Sequence, residues 1–199
     1  LRPIFESAKG GQVDPTRDHV LLGRERNDVG RPNDEGYPIR SIVKQGWLLS
    51  VNFEPERWPG GNPETGYLDC DGSPTKTFLL KQHRADPADP FWALAFGRRV
   101  GEELFVLNTD PDCVQNRAGD PAVAAVKASL LEQMVRALTA EGDLRMLGRG
   151  KEYEAYPYSD ARYRGFYGKY RPGQPKPTWV HPDDFEEGAL PANAAPRKD

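Results

Sequence analysis

The sequence predicts an α+β fold: a small antiparallel sheet of about four strands packed by one long helix, with long loops and an extended tail. Three observations carry this. Two runs rich in β-branched and aromatic residues, IRSIV (39–43) and WLLSVNF (47–53), are separated only by Lys44, Gln45 and Gly46, as in a hairpin. A later run, DPAVAAVKASLLEQMVRALTAEGD (120–143), repeats its apolar residues at helical spacing. The remainder is polar and broken: of 199 residues 37% are hydrophobic and 29% charged, with 20 glycines and 19 prolines. That composition supports one modest core and much irregular chain.

Taken in order, residues 1 to 17 are polar, with Gly10, Gly11 and Pro15, and read as a lead-in loop. The chain starts at Leu1, and LRPIFESAKGG reads as the end of something longer, so a piece of a larger protein is expected. HVLLG (19–23) is a short apolar strand ending at glycine. The hairpin follows at 39–53. Residues 54 to 74, dense in proline and glycine, make a long loop of the kind that carries function or lies over another domain. TKTFLLKQHR (75–84) is a helix candidate, PFWALAFG (90–97) is helix or strand, and EELFVLNTDPD (102–112) is a strand running into a turn. In the long helix Asp120 can cap, Pro121 suits the first position and Gly142 suits the stop. Val123, Val126, Leu130, Met134 and Leu138 form one apolar stripe, which predicts that this helix covers the sheet. From Lys151 the chain turns rich in tyrosine, proline and glycine, and GALPANAAPRKD has the composition of a disordered end. Two units are expected, 1–150 and an aromatic, proline-rich tail, 151–199.

The net charge of −3 gives no bulk reason for a nucleic-acid or membrane partner, and no apolar run is long enough to cross a bilayer. Two cysteines make no disulfide framework; Cys70 and Cys113 could form one bridge, and two free thiols are the preferred reading. DCDGS (69–73) has the form of an aspartyl-phosphatase nucleophile loop, but that chemistry needs Asp69 at the end of a buried parallel strand, and GNPETGY precedes it. An aspartate-rich turn is the better reading. His19, His83 and His181 show no ligand spacing, so no metal site is expected. The stripe from Arg162 to Lys176 interleaves cations with aromatics, a pattern that can bind single strands of nucleic acid. DDFEE (183–187) follows as counter-charge, and a tail wrapped on a neighbouring domain is preferred.

The densest charge lies in GRERNDVGRPNDEGYPIR (23–40), with four arginines and four carboxylates. Arginine presents a planar fork of donors that matches sulfate, phosphate or carboxylate oxygens. Arg24, Arg26, Arg31 and Arg40 could supply it, with Glu25 and Asp28 orienting guanidiniums or accepting sugar hydroxyls. The alternative is a solvated loop whose charges pair with one another, at roughly 0–1 kcal/mol per pair.

GRERNDVGRPNDEGYPIRSI, NFEPERWPGGNPETGY and EELFVLNTDPDCVQNRAGDPAVAAVKASLLEQM, in this order, resemble the C-terminal part of sulfatases. The likeness is to bacterial relatives of heparan N-sulfatase, in the alkaline-phosphatase-like superfamily, and spans about residues 1 to 147. It implies a hydrolase of sulfate esters or sulfamates that uses a formylglycine and a calcium ion, periplasmic or secreted. The formylglycine arises from a C/S-x-P-S-R motif, which this chain lacks. The resemblance therefore implies a missing N-terminal catalytic domain as partner, no catalytic residue or metal ligand in this chain, and no activity of the chain alone. It carries over substrate contacts only, to Arg24, Glu25, Arg26, Asn27, Arg31 and Arg40, with a sulfated carbohydrate as ligand. Asn27 stands where such relatives place histidine, keeping hydrogen-bonding capacity without a titratable group. A stand-alone anion- or glycan-binding module, or a nucleic-acid-binding tail, are the rival readings.

Overall fold

The computed structural model of the chain describes residues 2–170 and 178–186. A short helix, α1 (Arg2–Phe5), leads through a loop to strand β1 (Val20–Arg24), followed by the hairpin of β2 (Ile39–Lys44) and β3 (Trp47–Asn52). Helices α2 (Pro74–Ala85) and α3 (Pro90–Phe96) precede β4 (Glu102–Val106), and α4 (Ala124–Ala140) follows it. Two short helices, α5 (Lys151–Glu154) and α6 (Phe166–Lys169), belong to the tail. The four strands form one antiparallel sheet in the order β1-β2-β3-β4, so the fold is α+β as the sequence predicts.

The hairpin closes through Gln45 and Gly46, both at positive φ (50° and 77°), the two-residue turn whose twist matches that of the strands it joins. Leu21, Ile42, Leu49 and Leu104 then stand in register across all four strands. They meet Leu130, Met134 and Leu138 of α4, with Val123 and Val126 partly buried at its start. The stripe read from sequence is thus the face on the sheet, and burying each large side chain stabilises by about 1.5–3 kcal/mol. Asp120 accepts from the Ala122 amide at 2.8 Å, but Pro121–Val123 form a 3-10 turn and the α-helix proper begins at Ala124. Gly142, at φ 80°, lies just past the end of α4.

The ambiguous stretch at 90–97 is helical. Asp89 caps it by accepting from the Phe91 amide at 2.9 Å, and Pro90 occupies the first position. The helix expected at 75–84 forms as α2, capped by Ser73, whose Oγ accepts from the Lys76 amide at 3.1 Å.

A second packed region has no strands among the described residues and joins long loops to α2, α3 and α6. Val29, Leu68, Phe166 and Val180 make one buried cluster, and Tyr67, Leu80 and Phe96 another. The tail contributes directly: Phe166 is fully buried, the Gly165 amide donates to Asp34 Oδ2 at 2.6 Å, and Thr77 donates to the buried Asp184 at 2.7 Å. The described tail residues, 151–170 and 178–186, include α5 and α6 and pack on this chain's own loops. The disordered end expected at 188–199 lies outside the described residues, as does part of the basic-aromatic stripe, 171–177.

Candidate functional site

Residues 23–40 leave the sheet at β1 and return at β2, with Gly23 opposite Arg40 and Arg24 opposite Ile39, so both ends of the loop are held by ladder pairs. Between them the loop folds tightly. At Gly36 an added Cβ would lie 2.3 Å from the Glu25 carbonyl oxygen, a contact that only glycine escapes. Tyr37 next to it is fully buried.

The arginines of this loop fall into two groups. Arg31 is 1% exposed and turned inward. Its Nε donates to the Trp58 carbonyl at 2.9 Å, Nη2 to Pro59 at 2.9 Å and to Asp69 Oδ2 at 2.6 Å, and Nη1 to Glu35 at 3.3 Å. Asp69 uses its other oxygen to accept the Asp28 amide at 2.6 Å. Burial pushes the Arg31 pKa down while the Asp69 charge opposes it, and a guanidinium titrates so high that it stays charged. This ion pair joins the arginine loop to the 54–73 loop at its base.

Arg40 is also spent internally. Its Nε donates to Asp143 at 2.7 Å, Nη2 to Glu25 at 2.6 Å, and Nη1 to the carbonyls of Ile39 and Arg24 at 2.9 and 3.2 Å. Glu25 in turn receives Arg145 through Nε and Nη2, at 2.9 and 2.7 Å. Burial pushes the Asp143 carboxyl up, but the Arg40 hydrogen bond and charge outweigh it and hold it below its ordinary value.

Arg24 and Arg26 differ: among the described residues neither has a carboxylate partner. Arg24 lies 5.7 Å from the centre of the Tyr37 ring and gives Nη2 to the Pro59 carbonyl at 3.2 Å, while its buried Nε has no acceptor. Arg26 donates at 2.9 Å to the carbonyls of Asp34 and Tyr156 and lies 5.7 Å from the Tyr158 ring centre. Asn27 is exposed, with Nδ2 3.4 Å from the Asp69 carbonyl. Burial pushes the neighbouring Asp28 carboxyl up, against the pull of the Val29 amide and the Tyr158 hydroxyl. The six candidates therefore share one loop. Arg31, Arg40 and Glu25 form ion pairs within the chain, while Arg24 and Arg26 meet only carbonyls and rings and Asn27 is exposed.

The partners that do the building were not foreseen. Asp69, Asp143 and Arg145 lie 38 to 120 residues from the arginine or glutamate each engages. Asp69 does not end a strand; it follows the 3-10 turn Pro63–Thr65 in a chain whose sheet is wholly antiparallel, which removes the aspartyl-phosphatase reading. Both cysteines are free thiols. The histidines stay apart: His19 contacts Asp18, His83 stacks on Trp92 and His181 receives the Asp183 amide. Among the described residues no three His, Cys, Asp or Glu side chains come together as a metal site, and no helix is long and apolar enough to cross a membrane.

No protein-family model matches the chain, and no curated protein matches it significantly.

Proposed function

We propose that the chain is the C-terminal substrate-recognition portion of a sulfatase acting on sulfated or N-sulfated sugars, and that it is inactive alone. One observation carries most weight. In a loop with four arginines, Arg31 is neutralised by the buried Asp69 and Arg40 by the partly buried Glu25 and Asp143, while Arg24 and Arg26 have no carboxylate partner among the described residues. A partly buried guanidinium without a counter-ion is costly unless an anion arrives to pair with it. The order of sequence motifs supports the sulfatase reading, as does a small sheet covered by one helix. Calcium and formylglycine would belong to the catalytic portion, together with the reacting centre.

The test is to assay this chain with an arylsulfate and a sulfamate in the presence of calcium. No turnover is expected, together with retention on heparin that weakens when Arg24 and Arg26 are replaced by alanine. Turnover at the level of a complete sulfatase would overturn the proposal. Retention on heparin without any dependence on a catalytic portion is also what a stand-alone glycan-binding module would show. The two are separated by mixing with a sulfatase catalytic domain, which should restore hydrolysis only under the first reading.

A further inference from the structure

Arg98, in the connection between α3 and β4, was singled out by no sequence motif. It is exposed, and among the described residues it has neither an ion pair nor a hydrogen bond; its guanidinium instead lies over the Trp58 ring, 4.7 Å from the centroid. The ring beneath it belongs to a connected aromatic cluster. Trp58 meets Trp92 edge to face at 6.1 Å, Trp92 stacks on His83 at 4.1 Å and donates to the Tyr67 hydroxyl at 3.2 Å, and Tyr67 packs on Phe96. The main chain at the same point is fixed by the arginine loop: Arg31 holds the Trp58 carbonyl, and Arg24 and Arg31 both donate to the carbonyl of Pro59. Two arginines without carboxylate partners, Arg24 and Arg98, thus both contact the Trp58–Pro59 dipeptide.

A guanidinium held over a tryptophan ring by cation–π attraction is partly ordered, and with no other acceptor among the described residues its N–H donors can turn to an anion, so less side-chain freedom is lost on binding. We infer that Arg98, held on Trp58, is a second anion-binding residue that takes a sulfate or carboxylate group on a sugar adjoining the one met by Arg24. This rests on the sulfated-saccharide reading above and extends it from one anionic group to at least two along a chain. A singly sulfated monosaccharide would leave Arg98 unused, whereas a polyanionic oligosaccharide would engage both.

The experiment is calorimetric titration of the chain with a heparin octasaccharide, comparing wild type with Arg98→Ala, Arg98→Lys, Trp58→Leu and the distant surface control Arg136→Ala. Thermal unfolding confirms that each variant is folded; among the described residues Arg98 has no hydrogen bond or ion pair and is exposed, so its replacement should shift the melting curve little. Arg98→Ala is expected to weaken binding about fivefold or more, Arg98→Lys to recover little of the loss, and Arg136→Ala to change nothing. A singly sulfated glucosamine should bind wild type and Arg98→Ala equally. Arg98→Ala at wild-type affinity, with Arg24→Ala impaired, would overturn the inference and leave the sulfated-sugar reading standing. Equal losses in Arg98→Ala and Arg136→Ala would also overturn it, as diffuse charge attraction. A wild-type chain that does not bind the octasaccharide at all would remove both readings.

Discussion

The sheet with α4 and the loop region beside it are both well packed, but they are held by opposite means. In the first, Ile42, Leu49, Leu104, Leu130, Met134 and Leu138 bury apolar surface, and the backbone satisfies itself through ladders and helix bonds. In the second, the backbone is irregular, and its carbonyls need partners from elsewhere. Arg31 closes three of them, at Trp58, Pro59 and Glu35, and the buried Lys76 closes two more, at Tyr67 and Cys70, at 3.0 and 2.7 Å. Where the chain lacks periodicity, buried cations take the place of secondary structure. All four arginines of the 23–40 loop donate to carbonyls of this chain, and two of them, Arg31 and Arg40, also pair with its carboxylates.

The sharpest way to break this contrast is at Arg31. Replacement by alanine leaves Asp69 buried without its partner, at a cost of about 3–5 kcal/mol, and should release the 54–73 loop. Urea unfolding with hydrogen exchange should show lost protection in that loop and retained protection in the sheet. On the apolar side, Met134→Ala should cost about 2–5 kcal/mol, lower the urea midpoint, and leave the affinity for a sulfated saccharide unchanged while folded. Asp120→Ala removes the cap ahead of α4 together with the half-exposed Arg117–Asp120 ion pair and should cost about 1–2 kcal/mol. The smallest effect is on pH dependence. The Asp143 carboxyl is held below its ordinary value in the folded chain, so its contribution is fully present above the unfolded value of about 4 and fades as pH falls below it. The stability gap between wild type and Asp143→Asn should therefore narrow in acid; a gap that widened would place the Arg40 interaction elsewhere.

How far the sequence alone foretells each region follows the same division. The hairpin turn at Gln45 and Gly46 and the stripe from Val123 to Leu138 are local patterns that lie where the spacing predicts, whereas Asp120 caps the 3-10 turn Pro121–Val123 and the α-helix starts three residues later than its cap and proline suggest. For 90–97 the sequence left helix and strand open; the structure makes it helical, started by the Asp89 cap and Pro90. In the loop region the residue types were visible but their partners were not. Nothing near Arg31 or Arg40 in the chain distinguishes them from Arg24 and Arg26; the distinction comes from Asp69 and Asp143, which only the fold brings close. The packing of Phe166 and Val180 against Val29 and Leu68 was hidden for the same reason, since the tail has no periodicity to mark a buried face.

The division of labour among the loop arginines is tested most directly by measuring urea stability and heparin-octasaccharide affinity on two variants, Arg24→Ala/Arg26→Ala and Arg31→Ala. The double variant should lose affinity by about tenfold or more with its unfolding midpoint close to wild type. Arg31→Ala should instead lose several kcal/mol of stability, with binding lost only through unfolding of the loop. A double variant that binds like wild type, or that loses as much stability as Arg31→Ala, would contradict the division.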